Sequence, residues 1–208
     1  MNRRDYLSIM NELSASEGVF TTAQAMRLGI PRNVLAKARQ AGKLVRIAHG
    51  AYRMAGTPAS QLDELTAAWK LTDPAKMTHE RMQAGEWDGV TVAGSTAASI
   101  LGIGDFYLSP YRILAPRRIN SRNVETRFGV RDISRNEVSF ASGIPVTSIE
   151  RTLVDLVLDG EDPSLVEDAL SDAREKGLDE ERLIRLAADA GASAQAKRKM
   201  ARIFGEEA

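Results

Sequence analysis

The chain has no cysteine. Disulfides, zinc–thiolate centres and cysteine nucleophiles are therefore excluded. Only two histidines occur, His49 and His79, far apart in the sequence. No apolar run approaches the roughly 20 residues of a membrane span, and no membrane partner is expected. The opening MNRRDYLSIM carries acidic and polar residues and no cleavage site, so a signal peptide is not expected. It reads instead as a short basic arm entering a helix with Tyr6, Leu7, Met10 and Leu13 inward. There is no internal repeat, no low-complexity tract and no net charge, with 28 Lys and Arg against 28 Asp and Glu. A cytoplasmic protein is the expectation.

Two enzyme classes each lack a required piece. Gly94-Ser95, nine residues and then Asp105 imitate the Gly-Ser…Asp-x-Asp spacing of nucleotidyltransferases, but Tyr107 stands where the second carboxylate belongs. One carboxylate cannot hold the divalent metals of that reaction. The common metal-dependent nuclease core needs a Glu-x-Lys, and none occurs. No catalytic residue, metal ligand or cofactor is predicted. Thr152 and Asp155 lie one helical turn apart beside Arg151, and the plain reading is an aspartate that orients an arginine or caps a strand. His79 reads as a surface residue, and Lys197-Arg198-Lys199 as a solvated helix face.

What is present centres on Val19 to Met54, VFTTAQAMRLGIPRNVLAKARQAGKLVRIAHGAYRM. Thr21 with Gln24 forms a capping box for a helix reaching about Leu28. Gly29 breaks it, and Pro31 introduces a helix from about Arg32 to Ala41. That helix turns Val34, Leu35 and Ala38 inward and Arg32, Asn33, Ala36, Lys37 and Gln40 outward. Leu44–Ile47 and Ala51–Met54 form a hairpin around Ala48-His49-Gly50. Helix-turn-helix followed by a basic hairpin predicts a winged helix, whose second helix enters the major groove N-terminus first.

Residues 1–58 hold nine Lys and Arg against three acids, the local excess a phosphate-facing surface needs. A winged helix kept for protein contacts is the rival reading. The predicted DNA-facing set is Thr21, Thr22, Arg32, Asn33, Lys37, Arg39, Gln40, Lys43, Arg46, His49 and Arg53. Arg32 and Asn33, at the start of the recognition helix, are expected on base edges. Lys37, Lys43, Arg46 and Arg53, flanked by Arg39, are expected on phosphates.

At 208 residues the chain has room for one large domain or two small ones. Ala55-Gly56-Thr57-Pro58 is the linker candidate, giving domains 1–58 and 59–208. Beyond it, a helix from Ser60 carries Leu62, Leu65 and Trp69, and a helical piece spans about Pro74 to Ala84. Residues 59–110 are acidic, with three bases against seven acids. A strand at Val90–Val92 and a small packed helix at Thr96–Leu101 follow. Strands are expected at Tyr111–Ala115, Val124–Phe128 and Val138–Ala141. Residues 111–140 carry seven arginines against three acids, and Arg112, Arg117, Arg118, Arg122, Arg127 and Arg131 make a candidate second basic surface. The plain alternative pairs several of them with acids of the later helices. Thr147 and Glu150 suggest a second capping box, opening a helix with Ile149, Leu153, Leu156 and Val157 buried. Asp162-Pro163, Asp179 and Ser193 open three more helices. The fold class is α+β: an N-terminal winged helix-turn-helix domain, then a mixed α/β domain ending in helices.

VFTTAQAMRLGI, GKLVRIAHGAYR and GIPVTSIERTLVDL, with VAGSTAASILGI between them, resemble the AbiEi-type antitoxins of bacterial type IV toxin–antitoxin systems. The resemblance runs from about Tyr6 to Leu186. It implies a winged helix that binds inverted repeats in its own promoter and represses the operon. It also implies a C-terminal domain that counters a nucleotidyltransferase-like toxin without an obligatory stable complex. GIPVTSIERTLVDL also resembles a stretch preceding a Vsr-like endonuclease domain in some larger proteins; the sequence leaves no room for that domain, so nuclease function is not expected. Residue spacing itself says nothing about antitoxicity. The rivals are a winged-helix regulator with a ligand- or partner-binding C-terminal domain and no toxin, and a nucleic-acid-processing enzyme.

Overall fold

The computed structural model describes residues 5–121, 124–190 and 193–205. The chain divides into two compact units, Met1–Trp87 and Asp88–Ala208, and the class is α+β, with a winged helix in the first unit and a mixed sheet with helices in the second.

In the first unit, α1 (Tyr6–Glu17) is capped by the Asp5 carboxylate, which accepts from the Leu7 and Ser8 N–H groups at 3.1 and 3.2 Å. β1 (Phe20–Thr21) leads into α2 (Thr22–Arg27), where the predicted capping box is present: Gln24 N–H donates to Thr21 Oγ1 at 3.0 Å and Thr21 N–H to Gln24 Oε1 at 2.8 Å. Gly29, at φ 82°, makes the left-handed turn into α3 (Arg32–Gln40). β2 (Leu44–Ala48) and β3 (Ala51–Met54) form the wing, and the antiparallel sheet has the order β1-β3-β2. Met10, Leu13, Phe20, Ala25, Ile30, Leu35 and Leu44 meet in its core.

The boundary expected at residues 55–58 falls inside this unit, which runs on to Trp87. The reason is packing. α4 (Asp63–Lys70) buries Leu65, Ala67 and Trp69 completely, and each large apolar side chain so buried contributes about 1.5–3 kcal/mol. The Lys70 ammonium reaches back to the Glu17 carboxylate at the end of α1, both being nearly inaccessible. Thr78 at the start of α5 (Thr78–Met82) donates to the same carboxylate through its N–H and its hydroxyl. The Arg81 guanidinium lies 3.9 Å from the Trp69 ring centroid and donates to the Trp69 carbonyl at 2.9 Å. A linker composition did not mark a domain edge because the chain turns there and packs back onto the winged helix.

The second unit holds a five-stranded sheet in the order β6-β5-β4-β8-β7. Its strands are β4 (Thr91–Val92), β5 (Tyr111–Ala115), β6 (Thr126–Val130), β7 (Val138–Ala141) and β8 (Ile144–Thr147). β5–β6 and β4–β8 are parallel, whereas β4–β5 and β7–β8 are antiparallel. Four helices complete the fold around a central one. α6 (Gly94–Leu101) follows β4, and α7 (Ile149–Asp159) follows β8. α8 (Pro163–Glu175), α9 (Glu180–Asp189) and α10 (Ala194–Phe204) cover α7 through Val166, Ala169, Leu183, Ala187, Met200 and Phe204.

Three sequence expectations shift here. The strand placed at Val124–Phe128 runs from Thr126 to Val130. β8 has no counterpart among the expected strands; a proline such as Pro145 is rare inside a sheet, yet all four residues of β8 are buried between β4 and β7. Consequently Thr147 is not a helix cap. It ends β8, its hydroxyl 2.7 Å from that of Thr152, and Ser148 caps α7 by accepting from the Arg151 N–H at 3.3 Å.

Candidate nucleic-acid interface

α3 is amphipathic as predicted. Leu35 and Ala38 are buried in the core, and Arg32, Asn33, Ala36, Lys37, Arg39 and Gln40 are exposed. The helix carries no acid and its last turn holds Lys37 and Arg39. Lys43 and Arg46 are exposed beside it, and Arg32, Lys37, Arg39 and Lys43 have no acidic partner among the described residues. Arg46 Nη2 meets His49 Nδ1 at 2.7 Å, and its Nε donates to the Ala48 carbonyl at 3.3 Å, which fixes the wing tip. Gly50, at φ 87°, closes the turn.

Two members of the predicted set are removed from this surface. Arg53 is 7% exposed. It donates to Asp63 Oδ2 at 2.9 Å and to the carbonyls of Met54 and Thr57, so it ties the wing to the first residue of α4 and to the segment before it. The hairpin turns it inward: alternate residues of a strand face opposite sides, and the acid that holds it lies in a segment assigned to another domain. Thr21 is fully buried, accepting from the Gln24 N–H and donating to the Pro74 carbonyl. Thr22 is half-buried, its hydroxyl 3.3 Å from the Gly50 carbonyl.

Arg27 is likewise neutralised. Its guanidinium makes two 2.7 Å bonds to Glu80, and the hydrogen bonds from Arg27 and from the Met77 N–H hold the Glu80 carboxyl down at about 2. Burial pushes the Glu17 carboxyl up, but the Lys70 ammonium and the Thr78 donors outweigh it and leave the group below its ordinary value. The signal for these pairings was the acidic run after residue 58. With it included, the first unit has twelve bases against eight acids, and the surplus gathers on α3 and the wing.

In the second unit the arginines divide. Arg112 makes two 2.8 Å bonds to Asp159. Arg131 donates to Asp155 and stands 3.8 Å from Asp159. Arg112 and Arg131 therefore belong to an internal network rather than to an open surface. Arg151 completes it, bonding Asp155 at 2.9 Å and Glu137 at 3.0 Å, as the reading of Asp155 as an arginine-orienting residue expected. Burial raises the Asp155 carboxyl above its ordinary value despite its arginine neighbours. Arg117, Arg118 and Arg127 are exposed, and Arg122 lies outside the described residues. Asp105 sits in an exposed loop rather than on a strand, and no cluster of acids and histidines suited to a metal occurs among the described residues. Among the same residues no helix is long and apolar enough to cross a membrane.

The chain resembles the RV2827C protein of Mycobacterium tuberculosis, whose crystal structure it matches with a TM-score of 0.60 at 18% identity, over 96% of this chain and 76% of that one. At that identity the likeness is one of fold. No curated protein is similar enough in sequence to count as a relative. Residues 8–55, from α1 through the wing, match the family described as transcriptional regulator, AbiEi antitoxin, so the family whose likeness the sequence carries is found over its winged helix.

Proposed function

We propose that this protein is a DNA-binding transcriptional regulator, the antitoxin of a toxin–antitoxin pair. It represses its own operon by binding inverted repeats in the promoter, and it opposes a nucleotidyltransferase-like toxin without requiring a stable complex. The observation that carries the DNA-binding part is the exposed row of Arg32, Lys37, Arg39 and Lys43, without an acidic partner among the described residues, beside the Arg46–His49 wing tip, in a domain matched to regulators. The antitoxin part rests on the family likeness, and it assigns toxin antagonism to residues beyond the winged helix. The family is typically non-enzymatic, in keeping with the missing metal carboxylates. Footprinting on the DNA upstream of the gene, at two salt concentrations, tests repression; a protected inverted repeat is expected, and uniform, unprotected DNA refutes it. Co-expression with the neighbouring gene tests antagonism: growth rescue is expected if that gene encodes the toxin.

A second reading has one observation in its favour. The second unit has a cleft of about 380 Å³ lined by Arg118, Asn120, Ser121, Thr126 and Phe128 among others, a volume within the range of small-ligand sites. A regulator that senses a ligand there, with no toxin, would keep operator binding and show no rescue.

A further inference from the structure

The start of α3 and the wing enclose a cleft of about 420 Å³ in the first unit, lined by Thr22, Arg32, Arg46, His49, Tyr52 and Pro74 among others. The sequence assigned these residues to two different tasks, Arg32 to a base and Arg46 to a phosphate; the fold places both on one recess. The charged side chains that line the recess are of one sign. A guanidinium has no acceptor, so in the 2.7 Å contact with Arg46 it is His49 Nδ1 that accepts, and the ring carries its proton on Nε2. Arg46 and His49 therefore offer only donors. Arg32 adds a second guanidinium, and among the described residues no carboxylate lines the cleft. The Thr22 hydroxyl, bonded to the Gly50 carbonyl, ties the start of α2 to the wing turn.

Two guanidinium groups and an imidazole N–H around a recess match an anion with several acceptor oxygens. Base edges lie within a groove and meet a projecting surface, whereas phosphate oxygens project from the duplex and can enter a recess. We propose that this cleft seats one backbone phosphate of the bound duplex, and that Arg32 is a phosphate-positioning residue rather than a base reader. Base readout then falls to Asn33 and Gln40 on the open face of α3. Because Arg32 stands in the first turn of α3, the seated phosphate sets the depth and register at which the helix meets the groove. The inference rests on the first unit being a DNA-binding module.

The test uses the full chain and a duplex that the wild type selects from a random pool. Each phosphate is replaced singly by an uncharged methylphosphonate. One position per bound chain is expected to cost about tenfold in affinity, the size of a lost charge-assisted hydrogen bond. That penalty should vanish in Arg32→Ala, which should itself weaken selected and scrambled duplexes alike and flatten the slope of log K against log salt by about 0.9. Arg46→Ala should lose the same penalty, and an unchanged melting temperature for both variants shows that the fold is intact. Arg32→Ala that keeps scrambled-DNA affinity but no longer distinguishes the selected duplex makes Arg32 a base reader and overturns the proposal. So does inorganic phosphate that shifts the His49 ring resonances while no methylphosphonate position matters, since the cleft then serves a free anion. A wild-type chain that selects no duplex removes the DNA-binding reading and the phosphate seat with it; selection without any sensitive phosphate removes the seat alone.

Discussion

Charge type did not decide which side chains face a ligand; the acids within reach did. Arg53 and Arg46 stand on the same hairpin, yet Arg53 meets Asp63 and is buried while Arg46, among the described residues, meets only His49 and the Ala48 carbonyl. Arg53→Ala should therefore lower stability by about 3 kcal/mol, the low end for removing one partner of a buried pair because Asp63 keeps some solvent. The salt slope of DNA binding should stay as it is; thermal unfolding and a salt titration of the same variant check both halves. Asn33 is the opposite case, exposed at the start of α3 and without a side-chain partner among the described residues. Asn33→Ala should reduce discrimination between selected and scrambled duplexes by about 1–3 kcal/mol, with scrambled-DNA affinity and melting temperature unchanged. Equal losses on both duplexes would put Asn33 on phosphates. Glu80 supplies a pH signature. Its folded value of about 2 lies below the ordinary 4.5, so its contribution is present above pH 4.5 and is lost as pH falls toward 2. Glu17, also lowered, acts in the same sense. Melting temperature against pH at low ionic strength should fall across that window, and Glu80→Gln should flatten the fall; an identical acid limb in the variant would show that the Arg27 pair adds nothing.

Among the elements, α4 and α5 are the surprise. They belong with the winged helix because Ala67 and Leu71 pack with Val19 and Ala51, Lys70 and Thr78 meet Glu17 of α1, and Glu80 meets Arg27 of α2. A fragment of residues 1–58 leaves Glu17 without its buried cation and uncovers the apolar residues that α4 packs against. It should show no cooperative unfolding transition, whereas residues 1–87 should unfold in one step by circular dichroism. Comparable transitions in both fragments would restore the shorter domain. In the second unit the same logic applies to α7, where Arg151, Asp155 and Asp159 receive Glu137, Arg131 and Arg112 from the sheet side. Such a network fixes β5 and the end of β6 against one helix.

The whole molecule is neutral, but its halves are not. The first unit has an excess of four bases and the second an excess of four acids, sixteen bases standing against twenty acids. With two of the second unit's arginines consumed by α7, DNA affinity should reside in residues 1–87. That fragment should keep most of the full chain's affinity and its salt slope. A slope for the full chain steeper by two or more phosphate contacts would show that Arg117, Arg118 and Arg127 extend the DNA track.

The local signals were legible in the chain itself. The Thr21–Gln24 box, Gly29, the amphipathic spacing of residues 32–40 and the Asp162-Pro163 start are short-range patterns, set by backbone geometry and hydrogen bonding between near neighbours, and each appears at or within a residue of its place. The fold class followed from them. What the tertiary structure alone decided depends on residues distant in sequence: that Arg53 and Thr21 turn inward, that Arg112 and Arg131 are spent on Asp159 and Asp155, that β8 is a central strand despite Pro145, and that Arg32 shares a recess with Arg46 and His49. Ion pairing and burial act through space, so a count of charges along the chain locates a basic segment but cannot say which of its members remain free.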